Sequence, residues 1–316
     1  MSELYDFAAQ NPEIKVIGVP AELGDGIREL LESLLELVGR TMNLSGLDGV
    51  TFTDDYYQAL IDLDKGYTVD RQPIPSSDHG LGIAMSHRVI RSGALKTHIV
   101  LNAQAFLAML DSKRSNLIVN TVAHECAHVE LYNLFEVAFP GKLLKRKRNA
   151  LDSFRNDCML ACWNEFGACW RSAVFGPSDK LAYEDIFLRM LEEARPAANS
   201  AIALYLDSGD IRALVNKVCG LYGNLLKYSA YHLGNLHGLG SDWRTVATTA
   251  DAVQDHWFLP FFERLDNSCK AIAADLGIWK HSTYFDELED IAEDLVADGG
   301  MQFVRHEDEQ ISLHIA

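Results

Sequence analysis

The sequence predicts an α+β fold, with a small mixed or antiparallel sheet and helices in its N-terminal part and helices in its C-terminal part. Three observations support this class. Segments 82–90 and 95–103 are rich in β-branched residues and are joined by a turn that contains glycine. The segment 115–138 has a long helical pattern that stops at Pro140. After residue 142, apolar residues recur mainly at helical spacing.

The size and charge of the chain limit the possible functions. Its 316 residues suffice for one large domain or two lobes, and we predict an α/β lobe over 1–141 and a mainly helical lobe over 142–316. The formal net charge of −17 argues against general binding to nucleic acid or to an anionic membrane. The sequence predicts no secretory signal and no membrane span, so we expect a cytoplasmic protein.

In the first lobe, the elements follow from local patterns in chain order. Segment 24–40 has helical periodicity, and segment 49–63 begins with β-branched and aromatic residues. Segment 72–80 is a predicted loop because of its Pro, Ser and Gly content. The hairpin at 82–103 and the helix at 115–138 complete the lobe.

The second lobe begins with a basic connector at 142–148, which holds five cationic side chains. We interpret it as a solvated connector, and a surface for an acidic partner is the alternative. Helical patterns follow at 150–176, 180–207, 210–236, 242–276 and 284–297. The last 16 residues could form a hairpin or an edge strand.

Two histidines and a glutamate lie in the otherwise apolar helix at 115–138. His124 and His128 are four residues apart, so both can reach one ion from the same helix face, and Glu125 lies beside that ion. This HExxH pattern predicts two imidazole ligands for Zn²⁺ and a general base for a metal-bound water. A chance match is the alternative, but unpaired imidazoles and a carboxylate would be costly in a buried helix.

A catalytic zinc usually has a third protein ligand, and Glu165 is the best candidate. It falls within the apolar stripe of the helix at 150–173, where a carboxylate needs a cation. A salt bridge, for example to the basic connector, is the alternative. Other possible ligands are His232, His237 and His256.

An HExxH motif followed by a glutamate on a later helix resembles the gluzincin metallopeptidases. The residues that carry the resemblance are His124, Glu125, His128 and, within WNEFGAC, Glu165. The resemblance covers roughly residues 95–175 and implies a zincin-like fold, in which segment 97–103 would be the sheet edge that lines the cleft. The metzincin extension of the motif is absent.

The resemblance also implies that a Tyr or His of the second lobe assists the oxyanion. Segment 227–240 is the richest local supply of such residues, and we select Tyr231 and His232. Four of the six cysteines, Cys126, Cys158, Cys162 and Cys169, lie on the two helices that carry the ligands. We interpret them as reduced, small packing residues, and the alternative is an oxidation-sensitive cover over the site.

The leading hypothesis is therefore a cytoplasmic zinc metallopeptidase that hydrolyses a peptide or protein substrate through a zinc-bound water activated by Glu125. One alternative is a non-catalytic, zinc-stabilised scaffold or interaction protein, in which Cys162 or Cys169 would close the fourth zinc position. Another is a zinc hydrolase of small amides or esters. The sequence predicts no oligomeric state.

Overall fold

A computed structural model describes residues 12–68, 82–110, 115–176, 180–307 and 310–315. The predicted loop at 72–80 lies outside these residues. The fold is α+β, as predicted, and the chain divides into two compact units. The first unit runs to Leu143 and includes a short stretch that begins at Arg171, and the second comprises Leu144–Trp170 and the chain from helix α6 onward.

A four-stranded mixed sheet forms the centre of the first unit. In spatial order its strands are β1 (Glu13–Ile17), β2 (Leu47–Thr53), β4 (Ala94–Asn102) and β3 (Ala84–Arg91). Strands β1, β2 and β4 are parallel, and β3 pairs antiparallel with β4. The sheet therefore has one antiparallel edge.

The predicted hairpin is confirmed as β3 and β4. Its two turn residues, Ser92 and Gly93, have φ of 50° and 82°, and a two-residue hairpin turn with positive φ at both positions matches the twist of the strands. The prediction that 97–103 forms the sheet edge is wrong, because β2 pairs with the other side of β4. Strand β3 is the edge on this side of the sheet.

Some outward-facing backbone groups of β3 already form hydrogen bonds within the chain. The Arg88 carbonyl accepts a hydrogen bond from the Tyr67 hydroxyl at 3.3 Å, and the Ile90 N–H donates to the Lys65 carbonyl at 2.8 Å. Along the edge strand of an antiparallel pair, the N–H and C=O groups of every second residue point away from the partner strand. The N–H and C=O groups of Ala84 and Ser86 therefore point outward, as those of Arg88 and Ile90 do.

Helix α4 has a long buried stretch in the first unit. It contacts β3, β4 and α1, and every residue from 122 to 131 is buried. This matches the predicted helix at 115–138 and explains its lack of a polar face. The helices of this unit are α1 (Ala21–Gly39), α2 (Tyr56–Asp62), α3 (Ala103–Leu110) and α4 (Ser115–Ala138).

The second unit is built from helices and one hairpin. Apart from 242–276, each predicted helical segment corresponds to a helix, and the tail forms the predicted hairpin. The elements are α5 (Ala150–Ser172, with its last two residues in the first unit), α6 (Lys180–Ser208), α7 (Ile211–Gly238), α8 (Ala247–Val253), α9 (Leu259–Ala274), α10 (Asp286–Asp298), β5 (Met301–Arg305) and β6 (Ile311–Ile315).

The pattern at 242–276 contains two helices and a 3₁₀ turn rather than one helix. The helical conformation is interrupted at Asp255, which has φ of 60°. Helix α9 then begins with Pro260 in its first turn. Proline is tolerated there because the first N–H groups of a helix have no partner within it. Among the described helices, none has both the length and the apolar character needed to cross a bilayer.

Helices α5 and α7 approach closely at one glycine. A Cβ atom on Gly234 would lie 2.2 Å from the carbonyl oxygen of Phe166, which is far inside van der Waals contact. The helices can therefore adopt this spacing only with hydrogen as the side chain at position 234. Tyr231 lies one turn before this contact, and Glu165 directly precedes Phe166.

Candidate metal centre

The two histidines of the HExxH motif project from α4 toward one point. Their Nε2 atoms are 3.1 Å apart, and the side chains are buried, with 8% and 7% of His124 and His128 exposed. Two nitrogens at this separation, each about 2.05 Å from a shared ion, would subtend about 98° there, near the tetrahedral value of about 109°. The distance also suits a hydrogen bond between one protonated and one unprotonated nitrogen.

Glu165, on α5, is the third member of this group. One ligand atom from each of His124, His128 and Glu165 lies within 4.8 Å of the other two. Two imidazoles and one carboxylate form a donor set that catalytic zinc sites use, and it leaves a fourth position for water or substrate. The residues present therefore fit a zinc ion.

Within the second unit, Tyr231 forms a hydrogen bond with Glu165. Burial, followed by the Glu165 charge, raises the pKa of Tyr231 well above its usual value, so the phenol remains protonated and donates to the carboxylate. The predicted oxyanion residue thus contacts the predicted ligand. This contact gives Tyr231 a way to orient Glu165.

His232 has a different environment, inside the second unit. It is 2% exposed, its Nε2 lies 2.8 Å from Thr249 Oγ1, and its ring stacks on Phe187 with 5.6 Å between centroids. Burial lowers the pKa of His232 to about 4. Its catalytic role remains a prediction. The other possible ligands, His237 and His256, are not members of the three-residue group.

Glu125 is buried, with 6% exposed, and its carboxylate is bonded to a serine of the edge strand. The Ser86 hydroxyl lies 2.7 Å from Glu125 Oε2 and 3.2 Å from the Glu125 carbonyl oxygen. Among the described side chains, no Lys or Arg forms an ion pair with Glu125. A cation beside this carboxylate would therefore offset part of the cost of its burial.

Ser86 and Tyr56 also belong to the environment of Glu125, although no sequence pattern predicted either residue. Burial, and to a lesser degree the Glu125 charge, raises the pKa of the Tyr56 phenol. Ser86 gave no distinct signal, because it is followed by the polar residues His87 and Arg88 and a hydroxyl is common in a strand. Tyr56 gave no distinct signal either, because an aromatic residue at the start of α2 is most simply explained by packing.

A second buried carboxylate of α4 shows a contrasting arrangement. Glu130 is paired with the Arg171 guanidinium at 2.8 Å and accepts a hydrogen bond from the Asn43 N–H at 2.9 Å. Its charge is thus compensated within the first unit. This ion pair explains Glu130 as a structural residue, whereas Glu125 has no such pairing among the described side chains.

The cysteines are consistent with packing residues. All six are buried thiols, and burial is the largest cause of the raised pKa of each one. For Cys169, the Glu165 charge raises the pKa further. Neutral buried thiols behave as small hydrophobic groups. The three-residue group contains no cysteine.

Comparisons of the chain with protein-family models, with curated proteins and with solved structures found no match in any of the three.

Proposed function

We propose that this protein is a zinc-dependent metallopeptidase with a zincin-like fold. The observation that carries the proposal is the group formed by His124, His128 and Glu165, whose ligand atoms lie within 4.8 Å of one another. The buried carboxylate of Glu125, adjacent to His124 on the same helix, supports it further. This set contains three ligands and a general base, which are the parts that zinc-assisted hydrolysis requires.

In this proposal His124, His128 and Glu165 hold the zinc, and Tyr231 orients Glu165 through its hydrogen bond. A bound zinc would supply Lewis-acid chemistry, by polarising the peptide carbonyl and lowering the pKa of a water. Glu125 takes the proton from the attacking water. It then passes this proton to the nitrogen of the leaving amine as the peptide bond breaks.

The antiparallel edge of the sheet supports a peptide as the substrate. An extended peptide can add to an exposed strand edge through main-chain hydrogen bonds. On β3, the outward groups of Arg88 and Ile90 are already bonded, so a substrate would pair with the Ala84–Ser86 end. Ser86 is the residue that contacts Glu125, which brings this end of the edge next to the proposed base.

The proposed location is the cytoplasm. All six cysteines are thiols, and reduced cysteines in a chain of this size are typical of that compartment.

The test combines metal analysis with a peptide library. Protein purified without chelator should contain about one zinc per chain and cleave peptides in the library. A chelator should abolish cleavage, and added zinc should restore it. Absence of zinc would refute the metalloenzyme proposal. A zinc-loaded protein that cleaves no peptide would instead support the scaffold alternative, and cleavage of small amides or esters alone would support the small-molecule hydrolase.

A further inference from the structure

The contact between Ser86 and Glu125 distinguishes the two oxygens of the carboxylate. The hydroxyl has one proton, and its 2.7 Å distance to Oε2 is shorter than its 3.2 Å distance to the main-chain oxygen. A hydrogen bond to an ionised oxygen is stronger than one to a neutral carbonyl. Ser86 therefore donates mainly to Oε2, and the carboxylate keeps Oε1 for another partner.

We propose that Ser86 is a positioning residue for Glu125: it holds Oε2, so that Oε1 is the oxygen that takes the proton from the attacking water. This inference rests on the proposed peptidase function. The step is a proton transfer in which the O–H bond of the water breaks and a bond to Oε1 forms. The same proton later moves from Oε1 to the amine nitrogen of the product.

The position of Ser86 within the sheet fixes where its hydroxyl lies. Ser86 lies opposite Ile99 in the β3–β4 register, within a regular antiparallel ladder. Two residues along, the Arg88 guanidinium lies over the ring of Tyr132 on α4, at 5.5 Å, and donates to the Leu143 carbonyl at 2.7 Å. The contacts of Arg88 with Tyr132 and Leu143 therefore hold β3 against α4 close to Ser86, and Ser86 reaches Glu125 from a regular strand.

Activity measurements give the first test. Ser86→Ala should lower kcat by up to about 100-fold, the loss that a misplacement of about 1 Å can cause, with KM and zinc content little changed. Ser86→Thr keeps a hydroxyl and should restore most of kcat. In a Glu125→Gln background, Ser86→Ala should cause little further loss, because both substitutions act through the same carboxylate.

Infrared spectroscopy of the metal-free protein gives a second readout that does not require hydrolysis. The carboxylate band that Glu125→Gln removes should shift in Ser86→Ala and return near its original position in Ser86→Thr. Wild-type kcat in Ser86→Ala, an unshifted band, or an equal loss in the Glu125→Gln background would overturn the inference. If the wild-type protein cleaves no peptide, the proposed function fails, whereas an intact band shift still establishes the Ser86 contact.

Discussion

Replacing Glu165 by glutamine tests the third ligand with little change in shape. The amide oxygen can still accept the hydrogen bond from Tyr231, so the metal-free variant should unfold with nearly the wild-type free energy. The anionic zinc ligand is lost, however. Contacts that only orient a ligand contribute about 10- to 100-fold to metal affinity, so we expect at least about a 100-fold loss when a ligand itself is changed.

The loss of zinc affinity can be converted into an expected loss of thermal stability. At free zinc equal to about 100 times the wild-type Kd, binding adds about 2.7 kcal/mol to the free energy of unfolding. Affinity weaker by about 100-fold would leave about 0.4 kcal/mol at the same zinc concentration. The difference of about 2.3 kcal/mol corresponds to roughly 5–9 °C in Tm for a unit of about 150–250 residues.

The assay is thermal unfolding with and without zinc, measured for the wild type, Glu165→Gln and Asp157→Asn. Asp157 is the matched control, because it undergoes the same carboxylate-to-amide change on the same helix but is exposed. It should keep the full zinc-dependent shift. If Glu165→Gln also keeps that shift, or if both variants lose it equally, Glu165 is not the third ligand.

Three other outcomes follow from the described contacts. Glu125→Gln should retain zinc and lower the rate of peptide cleavage by about 10²- to 10⁴-fold, and loss of zinc in this variant would show that Glu125 is a ligand. Arg171→Met should lower the free energy of unfolding in urea by about 3–5 kcal/mol because it leaves Glu130 buried and unpaired, whereas Arg40→Met, at an exposed ion pair, should cost at most about 1 kcal/mol. Burial lowers the pKa of native His232 to about 4, so between about pH 6.5 and that value the unfolded chain binds a proton that the native state does not. The free energy of unfolding should therefore fall by up to about 1.4 kcal/mol for each pH unit of acidification. His232→Gln should remove this contribution to the pH dependence of stability.

The sequence predicted the parts of the fold that depend on local pattern. The hairpin at 82–103 and the helix at 115–138 are determined largely by turn chemistry and by a long apolar run, both of which are visible in single segments. The position of β4 inside the sheet depends instead on parallel pairing with β2, more than 40 residues earlier in the chain. No local pattern reports such a pairing, so the predicted edge was assigned to the wrong strand.

The candidate site shows the same division. His124, Glu125 and His128 were identifiable because polar groups at helical spacing conflict with an apolar surrounding. Glu165 was identifiable for the same reason on a second helix. Ser86 was missed because a single hydroxyl fits a strand without conflict, and its contact with Glu125 exists only after β3 packs against α4.

The close approach of α5 and α7 has a consequence for genetic screens. Any side chain at position 234 would meet the Phe166 backbone and push the helices apart, near the hydrogen bond between Tyr231 and Glu165. In a saturation mutagenesis experiment selected for activity, Gly234 should therefore tolerate as few substitutions as a ligand. A residue without any reactive group would then score as essential, and intolerance to substitution at this position would measure helix spacing rather than chemistry.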